Sequence, residues 1–286
     1  MAEKLTKNEK REAAREKARA EREQAQKKQK RNSILIKVGS LVGILAVAGI
    51  VVLVIITGGG STPAVAQINP KNMISNGVVF DGTIDRVVPS AAIPEGGKAT
   101  PTAPSADKVN VDIYVDYSCP YCKKFETAQN KVLADYVNKG EVVVEYHPIA
   151  FLTNYSIAAG NASACVASNE PDKWWTVNST LFDAQPEEKT AQGWSPASSI
   201  SYVKDTLKSL NLSSATKDCI KDTPYQEWLN SATNLALNGP IPNSDQPKVQ
   251  GTPYVIVDGK VNQVDYINDT TQLTKMIEEA KLAKKK

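Results

Sequence analysis

Val109-Asn110-Val111-Asp112-Ile113-Tyr114-Val115-Asp116-Tyr117-Ser118-Cys119-Pro120-Tyr121-Cys122 runs from an alternating strand straight into two cysteines separated by two residues. Val109, Val111, Ile113 and Val115 share one face of that strand, the half-buried pattern with a period of two. A helix opens at the cysteines, continues to about Asn138 and stops at Lys139-Gly140. The next strand, Glu141-Val142-Val143-Val144-Glu145-Tyr146-His147-Pro148, ends on proline. Strand, helix and strand with such short connections make a parallel, right-handed βαβ unit. A cysteine at a helix N-terminus meets free N–H donors and partial positive charge, which favour its thiolate, the species that exchanges disulfides. The same pair is also half of a possible zinc site, so the rest of the chain has to arbitrate.

Outward from this unit, Val78-Val79-Phe80 is a short β-like stretch followed by a turn at Asp81-Gly82, and residues 89–107, rich in Pro, Gly, Ala, Ser and Thr, read as a surface loop. Residues from about 154 to 236 show no strand pattern and read as helical. Ile157, Ala158, Cys165 and Val166 fit one helix, Leu181 and Phe182 a second, Ile200, Val203, Leu207 and Leu210 a third, and Cys219–Leu237 a fourth. Tyr254-Val255-Ile256-Val257 returns to strand, Asp258-Gly259 signals a hairpin, and Val261 lies on the return strand. A last helix spans about Thr270 to Lys284. The class is α/β: βαβ, a helical insertion, ββ, α.

The 286 residues carry a formal net charge of +3. Residues 1–32 hold twelve Lys or Arg against six Asp or Glu, a net of +6, so the remainder sums to −3. The overall positive charge therefore belongs to a charged tail, and nucleic acid is not an expected partner. Residues 33–57 form the expected single transmembrane helix: from Ile34 to Ile56 the one charge is Lys37. That length crosses a hydrocarbon core of about 30 Å. The basic flank predicts a cytoplasmic N-terminus, a single pass through the lipid bilayer of the cell membrane and an extracytoplasmic C-terminal domain. Residues 58–74, opening on Gly58-Gly59-Gly60-Ser61-Thr62-Pro63, read as a flexible linker, and 75–286 as the domain. Ala64-Val65-Ala66 has the form of a signal-peptidase site, but the apolar stretch is longer than a typical signal core, which favours an uncleaved anchor.

Cysteines 119, 122, 165 and 219 all fall on the outer side of the span. Four cysteines in an oxidising compartment suggest two bridges, Cys119–Cys122 and Cys165–Cys219, among three possible pairings. Cys165 and Cys219 read as a structural staple, with a second redox site as the alternative. A closed zinc site lacks ligands, since His147 is the only histidine, and no metal is expected.

With Val115-Asp116-Tyr117-Ser118-Cys119-Pro120-Tyr121-Cys122 at one end and Gly251-Thr252-Pro253-Tyr254-Val255-Ile256-Val257-Asp258-Gly259-Lys260 at the other, the chain resembles the DsbA family of thiol:disulfide oxidoreductases, most closely its membrane-anchored Gram-positive members. The match in element order covers about residues 75–283. The resemblance implies a thioredoxin fold with a helical insertion and a cis Thr252–Pro253 bond beside the cysteines. It implies Cys119 as the exposed nucleophile, Cys122 as the resolving thiol, and Pro120, Tyr121, Thr252 and Pro253 as their support. It also implies unfolded secreted proteins with reduced cysteines as substrates, a membrane-bound reoxidant protein as partner, and no cofactor. Tyr121 stands where the best-known oxidases of the family carry histidine, so the pair reads as an intermediate oxidant, between glutaredoxins at about −230 to −200 mV and DsbA at about −120 mV. The buried acid that several relatives place six residues before the nucleophile is replaced by Ile113, which leaves the proton acceptor of Cys122 open. Asp116 is either a proton manager for that thiol or a turn acid, and His147 either a neighbour of the site or a hydrogen-bonded corner. Tryptophans 174, 175, 194 and 228 read as packing residues. The rival functions are an extracytoplasmic reductase or isomerase, serving cytochrome maturation or repair, and a non-enzymatic adaptor that keeps the bridge as a staple.

Overall fold

A computed structural model describes residues 67–261 and 269–285. The expected tail (1–32), transmembrane helix (33–57) and the linker up to residue 66 lie outside the described residues. Among the described residues no helix is long and apolar enough to cross a membrane.

Five strands, β1 (Val78–Asp81), β2 (Val109–Val115), β3 (Val142–Pro148), β4 (Tyr254–Val257) and β5 (Lys260–Val261), form one mixed sheet in the order β1-β3-β2-β4-β5. β2 and β3 run parallel, while β1 on β3, β4 on β2 and β5 on β4 are antiparallel. Every residue of β3 is buried, as suits a strand flanked on both sides and covered on both faces. The β4–β5 hairpin turns at Asp258-Gly259, both with positive φ (45° and 76°), and a Cβ at Gly259 would meet the Asn243 carbonyl oxygen at 2.6 Å.

The helices are α1 (Pro120–Asn138), α2 (Asn154–Asn169), α3 (Trp174–Asp183), α4 (Glu188–Gln192), α5 (Pro196–Leu207), α6 (Ser214–Asp222), α7 (Gln226–Asn238) and α8 (Thr271–Lys284). One expectation is corrected here: the fourth insertion helix, Cys219–Leu237, is two helices. Thr223 takes a left-handed conformation (φ 48°) and Pro224 follows, and a proline disfavours helical geometry in the residue before it, so α6 ends and α7 begins anew. The third stops as an α-helix at Leu207, with Lys208–Leu210 a 3₁₀ turn.

Val109, Val111, Ile113 and Val115 belong to the main core, which also takes Phe125, Leu133 and Val137 of α1 and Trp174, Leu181 and Phe182 of α3. The other face of the sheet carries a smaller cluster of Tyr114, Ile149, Ala236, Ile241, Val249 and Ile256. Trp174, Trp175 and Trp228 are buried, and Trp194 packs on Tyr155 and Tyr202. Residues 67–74, read as the end of a flexible linker, are held to this body: Met73 is fully buried, and the Asn72 side chain donates to the Ala167 carbonyl at 2.7 Å.

Candidate active site

β2 delivers the chain to a tight turn held by buried polar groups. Asp116, buried at the end of the strand, accepts hydrogen bonds on one oxygen from the Ser118 N–H (2.7 Å) and the Ser156 hydroxyl (2.6 Å). Its other oxygen accepts from the N–H groups of Phe151 (2.9 Å) and Leu152 (3.3 Å). Burial pushes the Asp116 carboxyl up and these four donors pull it down, with burial prevailing. Ser118 in turn meets the hydroxyl of Thr153, the N-cap of α2, at 2.6 Å. One aspartate thus ties the cysteine turn to the start of the helical insertion.

Cys119 is the N-cap of α1, in extended conformation, with Pro120 in the first turn, where its missing N–H costs nothing. The Cys119 side chain makes no capping hydrogen bond at this helix start. The Cys119 thiol donates to the Thr252 carbonyl at 3.1 Å, and the Thr252–Pro253 bond is cis. The Cys119 pKa falls from an ordinary 9.0 to about 6. A hydrogen bond from Cys122 is the largest influence; burial works against it, and Thr252 and the N–H groups of Cys122 and Tyr121 add to the lowering. Cys122, fully buried one turn inward, is pushed well above 9.0 by burial and then by Cys119. The two sulfurs are therefore electronically unequal: one is a thiolate at neutral pH, the other a protonated thiol.

Cys119 is only 5% exposed, which corrects the expectation of an exposed nucleophile. The residue that projects is Tyr121, 60% exposed, with the Lys124 ammonium 5.4 Å from its ring centre. Phe151 and Leu152, bonded through their backbones to Asp116, are exposed apolar side chains of the same turn system. Cys165 and Cys219 are joined in a disulfide that links α2 to α6. His147 lies within β3, stacked on Tyr114, with Asp112 and Glu145 around it.

Two functional contacts have little sequence signal. Gln185, just past α3, donates to the carbonyls of Tyr117 (2.6 Å) and Cys119 (3.0 Å). Glu126, buried on α1, accepts from Asn130, Asn178 and Ser179 on one oxygen and from Tyr146 on the other. Asn178 also accepts from the Tyr117 hydroxyl at 2.8 Å. Helical spacing was the one available clue to Glu126, since 122, 126, 129 and 133 fall on one buried stripe.

A mixed sheet of this order, with a low-pKa cysteine at the N-cap of the helix after its central strand and a buried partner thiol behind it, defines a thioredoxin-fold dithiol protein. A family model described as Thioredoxin matches residues 103–279, and the chain belongs to that family. It is 30% identical over 163 residues to disulfide bond formation protein D of Bacillus subtilis (strain 168), a match over 55% of this chain and 68% of the relative. Among solved structures it is similar to oxidised BdbD from Bacillus subtilis, with a TM-score of 0.51 and 21% identity over 76% of this chain and 98% of that one. It is also similar to MdbA, a thiol-disulfide oxidoreductase from Corynebacterium diphtheriae, with a TM-score of 0.48 and 20% identity over 71% and 93%. The protein is a thiol:disulfide oxidoreductase of the DsbA type.

Proposed function

We propose that this protein is anchored in the cell membrane by residues 33–57 and introduces disulfide bonds into secreted or cell-envelope proteins through Cys119-Pro120-Tyr121-Cys122. The observation that carries the direction is the Cys119 pKa of about 6. A stabilised thiolate favours the reduced form of the enzyme and is a good leaving group, so the oxidised pair readily passes its disulfide on. A substrate thiolate attacks the Cys119 sulfur of the Cys119–Cys122 disulfide, and Cys122 leaves and takes up a proton. A second substrate thiolate then attacks the mixed disulfide at the substrate sulfur, which releases Cys119 as the thiolate and oxidises the substrate. The enzyme ends as a dithiol, so each cycle requires an oxidising partner, in this reading a membrane-bound reoxidant.

Thr252 and Pro253 pack beside the nucleophile, and the Thr252 backbone is the edge along which an extended substrate segment aligns. Tyr121, Phe151 and Leu152 provide apolar surface for unfolded chains. Cys165–Cys219 serves as a staple within the insertion. The apolar segment 34–56 with its basic flank supports the anchored, extracytoplasmic placement.

Equilibration of the full-length protein in glutathione buffers tests the direction. A Cys119–Cys122 potential above about −180 mV is expected, and a value near −270 mV would make the protein a membrane-tethered reductase.

A further inference from the structure

Asp112 and Glu145 are direct cross-strand partners on the parallel strands β2 and β3. Like charges so placed repel, and Glu145 is buried. His147, two residues along β3 on the same face, sets its Nε2 3.7 Å from Asp112 Oδ1 and 3.6 Å from Glu145 Oε1. Those separations are too long for hydrogen bonds. They are close to the spacing of about 3.3–3.6 Å between ligands that each sit about 2.0–2.2 Å from a shared tetrahedral ion. The three donor atoms all lie within 4.8 Å of one another.

The surroundings hold this arrangement in place. The Nδ1–Cε1 edge of the imidazole lies against Gly77, where a Cβ would come within 2.7 Å of both atoms. Its Nε2 is the nitrogen that faces the two carboxylates. Tyr114 stacks on the ring, with centroids 4.3 Å apart and planes 10° from parallel. The Ser75 hydroxyl donates to Glu145 Oε1. A side chain at Gly77 would displace the cluster, because a Cβ would lie 2.5 Å from Glu145 Oε1 and 2.7 Å from His147 Nδ1. A small cavity bounded in part by Thr102, Asp112, Glu145 and His147 reaches the cluster. Among the described residues His147 is the one side chain in ion-pair range of Asp112 or Glu145. A single imidazolium offsets one of the two carboxylates, whereas a divalent ion offsets both.

We propose that Asp112, Glu145 and His147 form a binding site for a divalent transition-metal ion, Zn²⁺ in first place, with water from the cavity as the fourth ligand. An imidazole nitrogen beside two carboxylates suits Zn²⁺; Ca²⁺ and Mg²⁺ take oxygen ligands. The ion fastens β2 to β3, and through Gly77 and Ser75 it holds the segment that enters β1. This site shares no residue with the cysteine pair and does not depend on the direction of the redox reaction.

The test uses full-length protein with both cysteine pairs oxidised, so that no thiolate competes, and Zn²⁺ alone as the probe. Calorimetry is expected to show one equivalent bound, with an unfolding midpoint that climbs as Zn²⁺ is added. Asp112→Asn, at the most exposed of the three positions, is expected to weaken binding at least tenfold. X-ray absorption of the zinc-loaded wild type needs no variant to fold: since His147 is the only histidine, an imidazole signal reports this residue. Absence of saturable binding, unchanged affinity in Asp112→Asn, a zinc shell lacking imidazole, or tighter binding of Ca²⁺ than of Zn²⁺ would each overturn the proposal.

Discussion

Gln185 reaches from the end of α3 to the Cys119 carbonyl, 3.0 Å away, and also holds the Tyr117 carbonyl at 2.6 Å. The helical insertion therefore braces the turn that carries the nucleophile, although the two residues lie 66 positions apart. Gln185→Ala removes both bonds, at a cost of about 1–2 kcal/mol. The donors that act on the Cys119 sulfur itself are untouched, so its titration midpoint stays near 6. Thermal unfolding and the pH profile of thiol alkylation, measured on the same variant, separate the two effects. A shifted midpoint would mean that Gln185 acts on the thiolate as well as on the turn.

The reduced protein is expected to react with a thiol-alkylating reagent at Cys119 with a midpoint near pH 6, while Cys122 stays protonated. Thr252→Val removes one of the groups that lower this pKa, so the midpoint moves upward toward 9.0. The folded pKa lies below the unfolded one. Thiolate stabilisation of the reduced protein is thus fully present above pH 9.0 and is lost as pH falls through about 6. The oxidised protein has no such group. Unfolding midpoints of the two forms, compared between pH 6 and 9, should shift in favour of the reduced form as pH rises; a constant difference would count against the thiolate.

Glu126 is buried, and its pKa is raised by burial despite four hydrogen bonds. With the folded pKa above the ordinary 4.5, its contribution to stability is full below about pH 4.5 and declines as pH rises through the folded value. Glu126→Gln preserves the geometry: the amide oxygen accepts from Asn130, Asn178 and Ser179, and the amide nitrogen donates to the Tyr146 hydroxyl. The variant should match the wild type at acid pH and gain on it toward neutrality. Denaturant unfolding at several pH values checks this, and parallel curves would show that Glu126 does not titrate in that range.

The Cys165–Cys219 bridge closes a loop over a separation of 54 residues. Replacing both cysteines with alanine is expected to cost about 4 kcal/mol in the chain-entropy account. That corresponds to a fall in Tm on the order of 10 °C for a domain of this size. Cys119 alkylation in the folded variant should be unchanged, which distinguishes a staple from a second redox pair.

Elements built from neighbouring residues were legible along the chain, because strand alternation, helical spacing, Lys139-Gly140 and Asp258-Gly259 act over a few positions. The strands β2, β3 and β4, the helix that opens at the cysteines and the helical character of the insertion were readable in that way. The break at Thr223-Pro224 was legible in principle, since proline is a local signal. The contacts that tune the site were not. Gln185 on Cys119, Ser156 on Asp116 and Asn178 on Glu126 join residues far apart in sequence, and nothing in their own neighbourhoods marks them. The contact of Cys119 with Thr252 likewise arises from the pairing of β4 with β2. Local chemistry names the reactive groups, because a cysteine at a helix start carries its own reason for being there. Their exposure, proton affinity and partners depend on desolvation and on donors from distant segments, and these come into being only when the chain packs.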